Sequence, residues 1–216
     1  MIIVSCEQGS PEWHQARAGV ITASMFETAR TRLKSGPRKG EPNEAALNYA
    51  FALAVERISG MPLDNGFETW QMRRGHELEP EARIEHEAQT GLIVQRAGFV
   101  LTDDGIFGAS ADGLIGEHGG SEYKCFLAPE KLRAFHIDND ASGIMDQVQG
   151  CMWITGRQWW HVGMYCPALA PVGRQLWWQE FKRDDNYIEA LEADLWEFKL
   201  LVDRYEMKLR EQRTAA

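Results

Sequence analysis

An α/β (α+β) fold with a mixed sheet is what the sequence predicts, on three observations. Helical apolar spacing dominates the first ninety residues; strand-like patterning with glycine-marked turns follows, over roughly 92–126; and helical and strand-like signals then alternate to the end. At 216 residues, with 44% hydrophobic and 25% charged residues, the chain suits a single domain with a sizeable core. No repeat of 20–50 residues and no low-complexity segment interrupts it.

The elements follow in order. Ser10-Pro11 places a capping hydroxyl before a proline at the first helical position, so EWHQARAG reads as a short helix ending at Gly19. Thr22 is positioned to cap a second helix through about Arg32. The basic segment after it, rich in Gly and Pro, reads as a loop. Helical spacing returns from Asn43 to Ser59, with Gly60 as its stop. A further helical region spans about Phe67 to Thr90, closed by Gly91, with Pro80 marking either a kink or a junction of two helices. LIVQRAGFVL, GIFGAS, DGLIGE and SEYKCF then predict an antiparallel meander of three or four strands, with turns at Asp103-Asp104-Gly105 and Gly119-Gly120. Helices are expected from Ala128 to about His136 and from about Ser142 to Ile154, the latter stopped by Gly156. WWHVGMYC and QLWWQEF read as strands. From Asp185 to about Arg213 the apolar residues Ile188, Leu191, Leu195, Phe198, Leu201, Val202 and Tyr205 step by three and four, the signature of one amphipathic helix.

Composition narrows the function classes. No apolar stretch is long enough to span a bilayer, and MIIVSCEQGS lacks the basic leader and apolar core of a secretory signal, so a cytoplasmic protein with no membrane partner is expected. Cys6, Cys125, Cys151 and Cys166 form no C-x-x-C pair, which argues against zinc or an iron–sulfur cluster and for reduced, mostly buried thiols. A net charge of −9 excludes a simple basic nucleic-acid coat. The charge is uneven, however: TARTRLKSGPRKG, residues 28–40, holds Arg30, Arg32, Lys34, Arg38 and Lys39 with no acid. That pattern is either a local anion site or a solvated basic loop.

The chemistry concentrates in GASADGLIGEHGGSEYKC, residues 108–125. With Asp112 opening one strand and Glu122 on the next, across Gly119-Gly120, both carboxylates can meet on one side of a sheet. Lys124, two residues after Glu122, shares its face, and Tyr123 points away with its carbonyl nearby. Two hard carboxylates suit Mg²⁺, and a neighbouring ammonium can orient a water or stabilise charge on a phosphate. Together these parts serve metal-assisted attack on a phosphodiester. D-x9-E-x-K is by itself a weak pattern, since acid–lysine pairs two apart also arise from cross-strand pairing on exposed strands.

The chain resembles the lambda exonuclease and YqaJ-type viral recombination exonuclease family of the PD-(D/E)XK nuclease superfamily. The blocks that carry the resemblance are W-H-x-x-R-x-G-V-I-T-A-S (Trp13 to Ser24), R-G-x-E-x-E-x-E-A-R (Arg74 to Arg83), S-A-D-G-L (Ser110 to Leu114), E-Y-K-C (Glu122 to Cys125) and Q-V-Q-x-x-M-W-I-T (Gln147 to Thr155). The match covers roughly residues 12–183 of a domain taken as 1–216, with the helix of about 185–213 unassigned. The resemblance implies a restriction-endonuclease-like core, a central mixed sheet flanked by helices. It makes Asp112, Glu122, the Tyr123 carbonyl and Glu79 metal ligands, with Glu77 and Glu81 as register alternatives to Glu79. Lys124 would assist the attacking water, and Gln147 would contact the nucleophile or scissile phosphate unless it is a buried amide bonded to backbone. Gln149 would point elsewhere on the same helix. Arg17, Ser24 and Ser110 would bind a 5′-terminal phosphate, which an arginine fork and hydroxyls suit. Another arginine of the family aligns near Lys34, and Arg32 or Arg30 would substitute for it.

The resemblance therefore implies a Mg²⁺-dependent 5′→3′ exonuclease, with Mn²⁺ as a substitute and two ions per site. It would act on linear double-stranded DNA and leave a 3′ tail for a single-strand annealing protein, working as a ring-shaped homotrimer in the cytoplasm of a bacterial host. An endonuclease of the same fold and a non-catalytic scaffold for DNA ends are the alternatives. Trp13 is expected in the core and His14 in a structural role. Trp159, Trp160, Trp177 and Trp178 are expected in the core or at a subunit interface rather than stacked on bases.

Overall fold

The computed structural model describes residues 1–63 and 70–211. Nine strands and seven helices are assigned among them, with short 3-10 turns at 23–25, 142–144 and 167–172. Helix α1 (Pro11–Arg17) starts as expected, Ser10 accepting from the Trp13 N–H. Thr22 does not cap a helix with its side chain. It ends the short strand β2 (Ile21–Thr22), which pairs in parallel with β5 (Phe107–Ser110) and turns the Thr22 hydroxyl toward Arg17. Helix α2 (Phe26–Arg30) begins one 3-10 turn later. Helix α3 (Glu44–Ser59) has Asn43 as N-cap and Gly60 in the left-handed region at φ 67°, the conformation that favours glycine. Helix α4 (Trp70–Thr90) continues through Pro80 without a break. Residues 67–69, where the sequence places its first turn, lie outside the described residues.

The expected meander is in fact shared between two sheets. One has the order β1–β4–β5–β2 and the other β3–β6–β7–β8–β9. LIVQRAGFVL breaks into β3 (Val94–Gln95), in the second sheet, and β4 (Phe99–Leu101), in the first. Gly98 sits at the break, where the backbone of Val4 comes so close that an added Cβ would lie 2.3 Å from its carbonyl oxygen. Its neighbour β1 (Ile2–Val4), not expected from the sequence, pairs antiparallel with β4. Strand β6 (Gly113–Ile115) runs antiparallel to β7 (Gly119–Lys124). Strand β7 runs parallel to β8 (Trp159–Tyr165), which is antiparallel to β9 (Leu176–Lys182), so this sheet is mixed as expected.

The turn between β6 and β7 is Gly116 to His118, with Gly116 at φ 52°, and not Gly119-Gly120. Those two glycines are buried inside β7. A Cβ on either would lie 2.2 Å from a ring atom of Trp159 or Trp160, so they are glycine to admit indoles. Gly120→Ala is expected to lower stability by about 1–3 kcal/mol through overpacking against the fully buried Trp160, read as a lower melting temperature.

Helices α5 (Pro129–His136), α6 (Met145–Thr155) and α7 (Asp185–Arg210) complete the chain; 212 and 213, the last positions expected in the tail helix, fall outside the described residues. The buried stripe Ile188, Leu191, Leu195, Phe198, Leu201 and Val202 of α7 joins α3 and α6 in the main core. Trp160 is the largest fully buried side chain there, and Trp177 packs on Phe135. Helix α4 packs on β7, β8 and β9. No helix among the described residues is long and apolar enough to cross a membrane.

Candidate active site

Strand β7 sets the site through its alternation. Glu122 and Lys124 project from one face, and Tyr123 projects from the other into a small cluster with Ala82, Tyr165 and Leu176. Lys124 Nζ donates to Glu122 Oε1 at 2.7 Å and to Gln147 Oε1 at 2.9 Å, and Gln147 Nε2 donates to the same Glu122 oxygen at 2.7 Å. Asp112, between β5 and β6, accepts the Tyr123 N–H on Oδ2 at 2.7 Å, which ties its carboxylate to the β7 backbone beside Glu122. The structure thus brings together Asp112, Glu122, Lys124 and Gln147 from three separate stretches of chain. Gln147 is not a backbone-bonded amide. Its neighbour Gln149 does point elsewhere, donating to Lys182 O and accepting from Asp184 N, and so ties α6 to the start of α7.

The electrostatics show strained charge. Burial, then Glu122 and Glu79, push the Asp112 carboxyl well above the usual aspartate range, against the opposing pull of Lys124 and the Tyr123 N–H. Burial and then Glu122 raise Glu79 as well. Lys124 is lowered by burial, but Glu122 and Asp112 outweigh that and hold it above an ordinary lysine, so it is an ammonium here. Glu79 lies on the α4 face that carries the buried Ala82 and His86, whereas Glu77 and Glu81 are exposed and Glu81 accepts from the Tyr165 hydroxyl. Glu79 is therefore the register that faces the site.

Two facts test whether these residues fit a divalent cation. Glu122 is only 3% exposed, and its Oε2 is buried without a hydrogen-bond partner. An unpartnered buried carboxylate oxygen is costly unless something positive meets it, so this oxygen fits a hard cation, as the two-carboxylate donor set does. No group of three or more His, Cys, Asp or Glu that could hold a metal is assembled among the described residues. Asp112 and Glu122 alone match the one or two carboxylates with which Mg²⁺ is ordinarily held.

A second cluster adjoins the first. Arg17 donates to Ser110 Oγ at 3.3 Å and to Thr22 Oγ1 at 3.4 Å, and Thr22 Oγ1 lies 3.4 Å from Ser24 Oγ. Arg17, Ser24 and Ser110, separated by up to 93 positions, are therefore one polar cluster, and Ser24 is its exposed member. Burial pulls the Arg17 guanidinium below its usual value, the mark of a cation held in a partly dry pocket. Trp13 is not a core residue. It is half-buried, Arg17 lies over its ring at 4.1 Å, and its Nε1 donates to Ser110 at 2.8 Å. Thr22 and Tyr49, whose hydroxyl accepts the Thr22 N–H at 3.1 Å, also belong here. In the sequence Thr22 reads as a cap, and no local signal marks Tyr49.

Neither Arg30 nor Arg32 completes this cluster. Arg30 donates to Asp146 at 2.7 Å and Asp194 at 2.6 Å, tying α2 to α6 and α7, and Arg32 donates to Glu197 at 2.8 Å. Arg38 pairs with Glu41, leaving Lys34 exposed on the basic loop. That loop is thus largely spent on internal ion pairs. Among the tryptophans, Trp178 stacks on His161 and its Nε1 donates to Gln89.

Against this geometry, the sequence matches the model of the YqaJ-like viral recombinase domain over residues 12–158. The chain belongs to that family. The YqaJ-like chain also resembles, at 29% identity and a TM-score of 0.80, the crystal structure of an alkaline exonuclease (LHK-Exo) from Laribacter hongkongensis, over 93% of this chain and 96% of that one. The structure of LHK-Exo in complex with dAMP matches at 30% identity with the same TM-score and coverage. A phage related exonuclease from Haemophilus somnus 129PT matches at 15% identity and TM-score 0.66, over 89% of this chain and 96% of that one, a likeness of fold alone. No curated protein matches. The mixed sheet with flanking helices is thus the PD-(D/E)XK-type fold that the sequence blocks implied.

Proposed function

We propose that the protein is a Mg²⁺-dependent exonuclease that degrades one strand of linear double-stranded DNA 5′→3′ from a 5′-phosphorylated end to mononucleotides. A nuclease of the lambda exonuclease family follows from the family match and the alkaline exonuclease likeness. The finer reading rests on one observation. Ser110, in the Arg17 cluster, and Asp112, in the carboxylate cluster, are separated by one residue. That is at most about 7 Å of chain, a span that lets the terminal phosphate sit in one cluster while the next phosphodiester sits in the other.

Asp112, Glu122 and the Tyr123 carbonyl would hold the ion, with Glu79 serving a second position. When bound, the ion would supply Lewis-acid stabilisation and lower the pKa of a coordinated water. The chain's own residues do the rest. Lys124 spends two of its N–H groups on Glu122 and Gln147 and aims the remaining one at the attacking water or a phosphate oxygen. Gln147 has a second amide N–H for the same phosphate. Arg17, Ser24 and Ser110 hold the terminal dianion by a guanidinium fork and hydroxyls. Water adds to phosphorus, the bond to the preceding 3′ oxygen breaks, and that oxygen leaves with a proton. The shortened strand again ends in a 5′-phosphate, so each turnover regenerates the group that the pocket binds. The reading extends to a ring-shaped homotrimer that hands its 3′ single-stranded overhang to a single-strand annealing protein in the cytoplasm of a bacterial host.

The test is a set of three duplexes: linear with 5′-phosphate, linear with 5′-hydroxyl, and covalently closed. The first should be consumed with Mg²⁺ and spared with EDTA, the second should be slower, and the circle should survive. Nicking of the circle would favour an endonuclease instead. Arg17→Ala is expected to reduce the rate on the 5′-phosphorylated duplex by about 10–100-fold, the worth of a hydrogen bond to a charged group, and to erase the difference between 5′-phosphate and 5′-hydroxyl ends in a gel assay. A preserved difference would remove Arg17 from the pocket.

A further inference from the structure

Behind the carboxylate cluster lies a buried polar chain that the proposed chemistry does not use. The Tyr123 hydroxyl lies 2.9 Å from His86 Nδ1, His86 Nε2 lies 2.9 Å from His161 Nδ1, and His161 Nε2 lies 3.4 Å from Glu180 Oε2. His86 is fully buried and His161 is 5% exposed. Glu180, as a carboxylate, only accepts, and this sets one direction for the whole series: His161 Nε2 donates to Glu180, His86 Nε2 donates to His161 Nδ1, and Tyr123 donates to His86 Nδ1. Each ring then carries one proton, and every ring nitrogen has a partner. Trp178 closes the far side, stacked on His161 at 4.8 Å and edge-on to His86 at 5.7 Å.

The chain joins α4 to three strands, β7, β8 and β9. Among the described residues, apolar packing between α4 and the sheet is sparse by comparison: in the local cluster Ala82 is the one fully buried apolar residue of α4, with Leu78 partly so. A helix held mainly by Ala and Leu against a sheet can slide or rotate at little cost. A buried hydrogen-bonded imidazole cannot move without orphaning its donors and acceptors. Glu79, Ala82 and His86 are spaced three and four apart, so they share the helix face turned to the sheet, and His86 is two turns from Glu79.

We propose that His86 is a positioning residue: through the Tyr123–His86–His161–Glu180 chain it sets the axial and rotational register of α4, and with it the orientation of Glu79 toward Asp112 and Glu122. This rests on the reading of those carboxylates as a divalent-cation site. It makes the affinity of the site depend on a group that touches neither ion nor DNA.

The experiment is direct Mn²⁺ and Mg²⁺ binding by calorimetry on the full-length protein without DNA, beside melting temperature and far-UV circular dichroism. His86→Phe keeps a ring and removes both nitrogens. It should remain folded and bind the ion about 10–100-fold more weakly, the usual effect of losing a group that orients a ligand. Leu191→Ala, a core truncation on α7 away from this chain, controls for lost stability and should leave affinity unchanged. Glu79→Gln should weaken binding, and His86→Phe added to it should weaken it no further, because His86 acts through Glu79. Full additivity, or unchanged affinity in His86→Phe, would overturn the inference. Should His86→Phe fail to fold, Tyr123→Phe removes only the hydroxyl and should weaken binding in the same direction, and unchanged affinity there would overturn the inference equally. Absence of ion binding by the unsubstituted protein would sink the metal reading itself, a separate outcome.

Discussion

Lys124→Ala is expected to cut the rate of mononucleotide release from a 5′-phosphorylated linear duplex by about 10²–10⁴-fold, the range for losing a group that handles a proton or charge in the transition state. The Nζ atom lies 2.7 Å from Glu122 Oε1 and 2.9 Å from Gln147 Oε1, and the side chain keeps 20% exposure, so its tip is both oriented and reachable. The loss should fall in kcat rather than in KM, because Lys124 lies apart from the Arg17 cluster that would hold the strand end. Stability should fall too, since Glu122, only 3% exposed, would remain as a buried carboxylate without its cation, and breaking a buried pair in this way costs about 3–5 kcal/mol. Retention of wild-type kcat would remove Lys124 from the chemistry. Lys124→Arg should not rescue fully, since a planar fork cannot point one N–H at each of three partners as an ammonium does.

Asp112→Asn should abolish cleavage and, in metal-free buffer near pH 8, raise the melting temperature. The sign follows from linkage. In the folded chain the Asp112 carboxyl titrates well above its unfolded value near 3.8, because burial and the charges of Glu122 and Glu79 oppose ionisation. Between those two pH values the folded state binds more protons than the unfolded one. Stability therefore declines as pH rises through that window, and above it the ionised group is a fixed cost. The neutral amide removes this cost. Mg²⁺ should raise the melting temperature of the unsubstituted protein by binding only its folded form, and should do little for the variant. Differential scanning fluorimetry with EDTA and with Mg²⁺ reads both effects. An Asp112→Asn protein that is less stable than its parent without metal, yet equally stabilised by Mg²⁺, would show that Asp112 is neither repelled nor a ligand.

The helices were the most legible part of the fold. Ser10, Asn43, Gly60 and Gly156 act within a few residues of where they stand, and each marks the boundary that the structure shows. The strands were less so. Gly119-Gly120 reads locally as a turn, but the indoles of Trp159 and Trp160, forty residues on, claim the space above the two glycines, and the true turn falls three residues earlier. Strand β1 was missed because three residues acquire strand character only by pairing with β4, nearly a hundred positions away. Arg30 and Arg32 read as candidates for an anion site because their partners Asp146, Asp194 and Glu197 lie far off in sequence.

The amino-acid sequence alone determined the family, the fold class and the names of the central residues, because motif spacing, helix caps and strand alternation are short-range properties of the chain. Tertiary structure alone decided which of those residues meet. It placed Gln147 on Lys124 and Glu122, chose Glu79 over Glu77 and Glu81, brought Ser110 to Arg17 and Trp13, and buried His86 against Tyr123 and His161. Such contacts join positions tens to about a hundred residues apart, and they arise when a shared core brings helix faces and strand edges into one volume, a geometry that no local pattern contains.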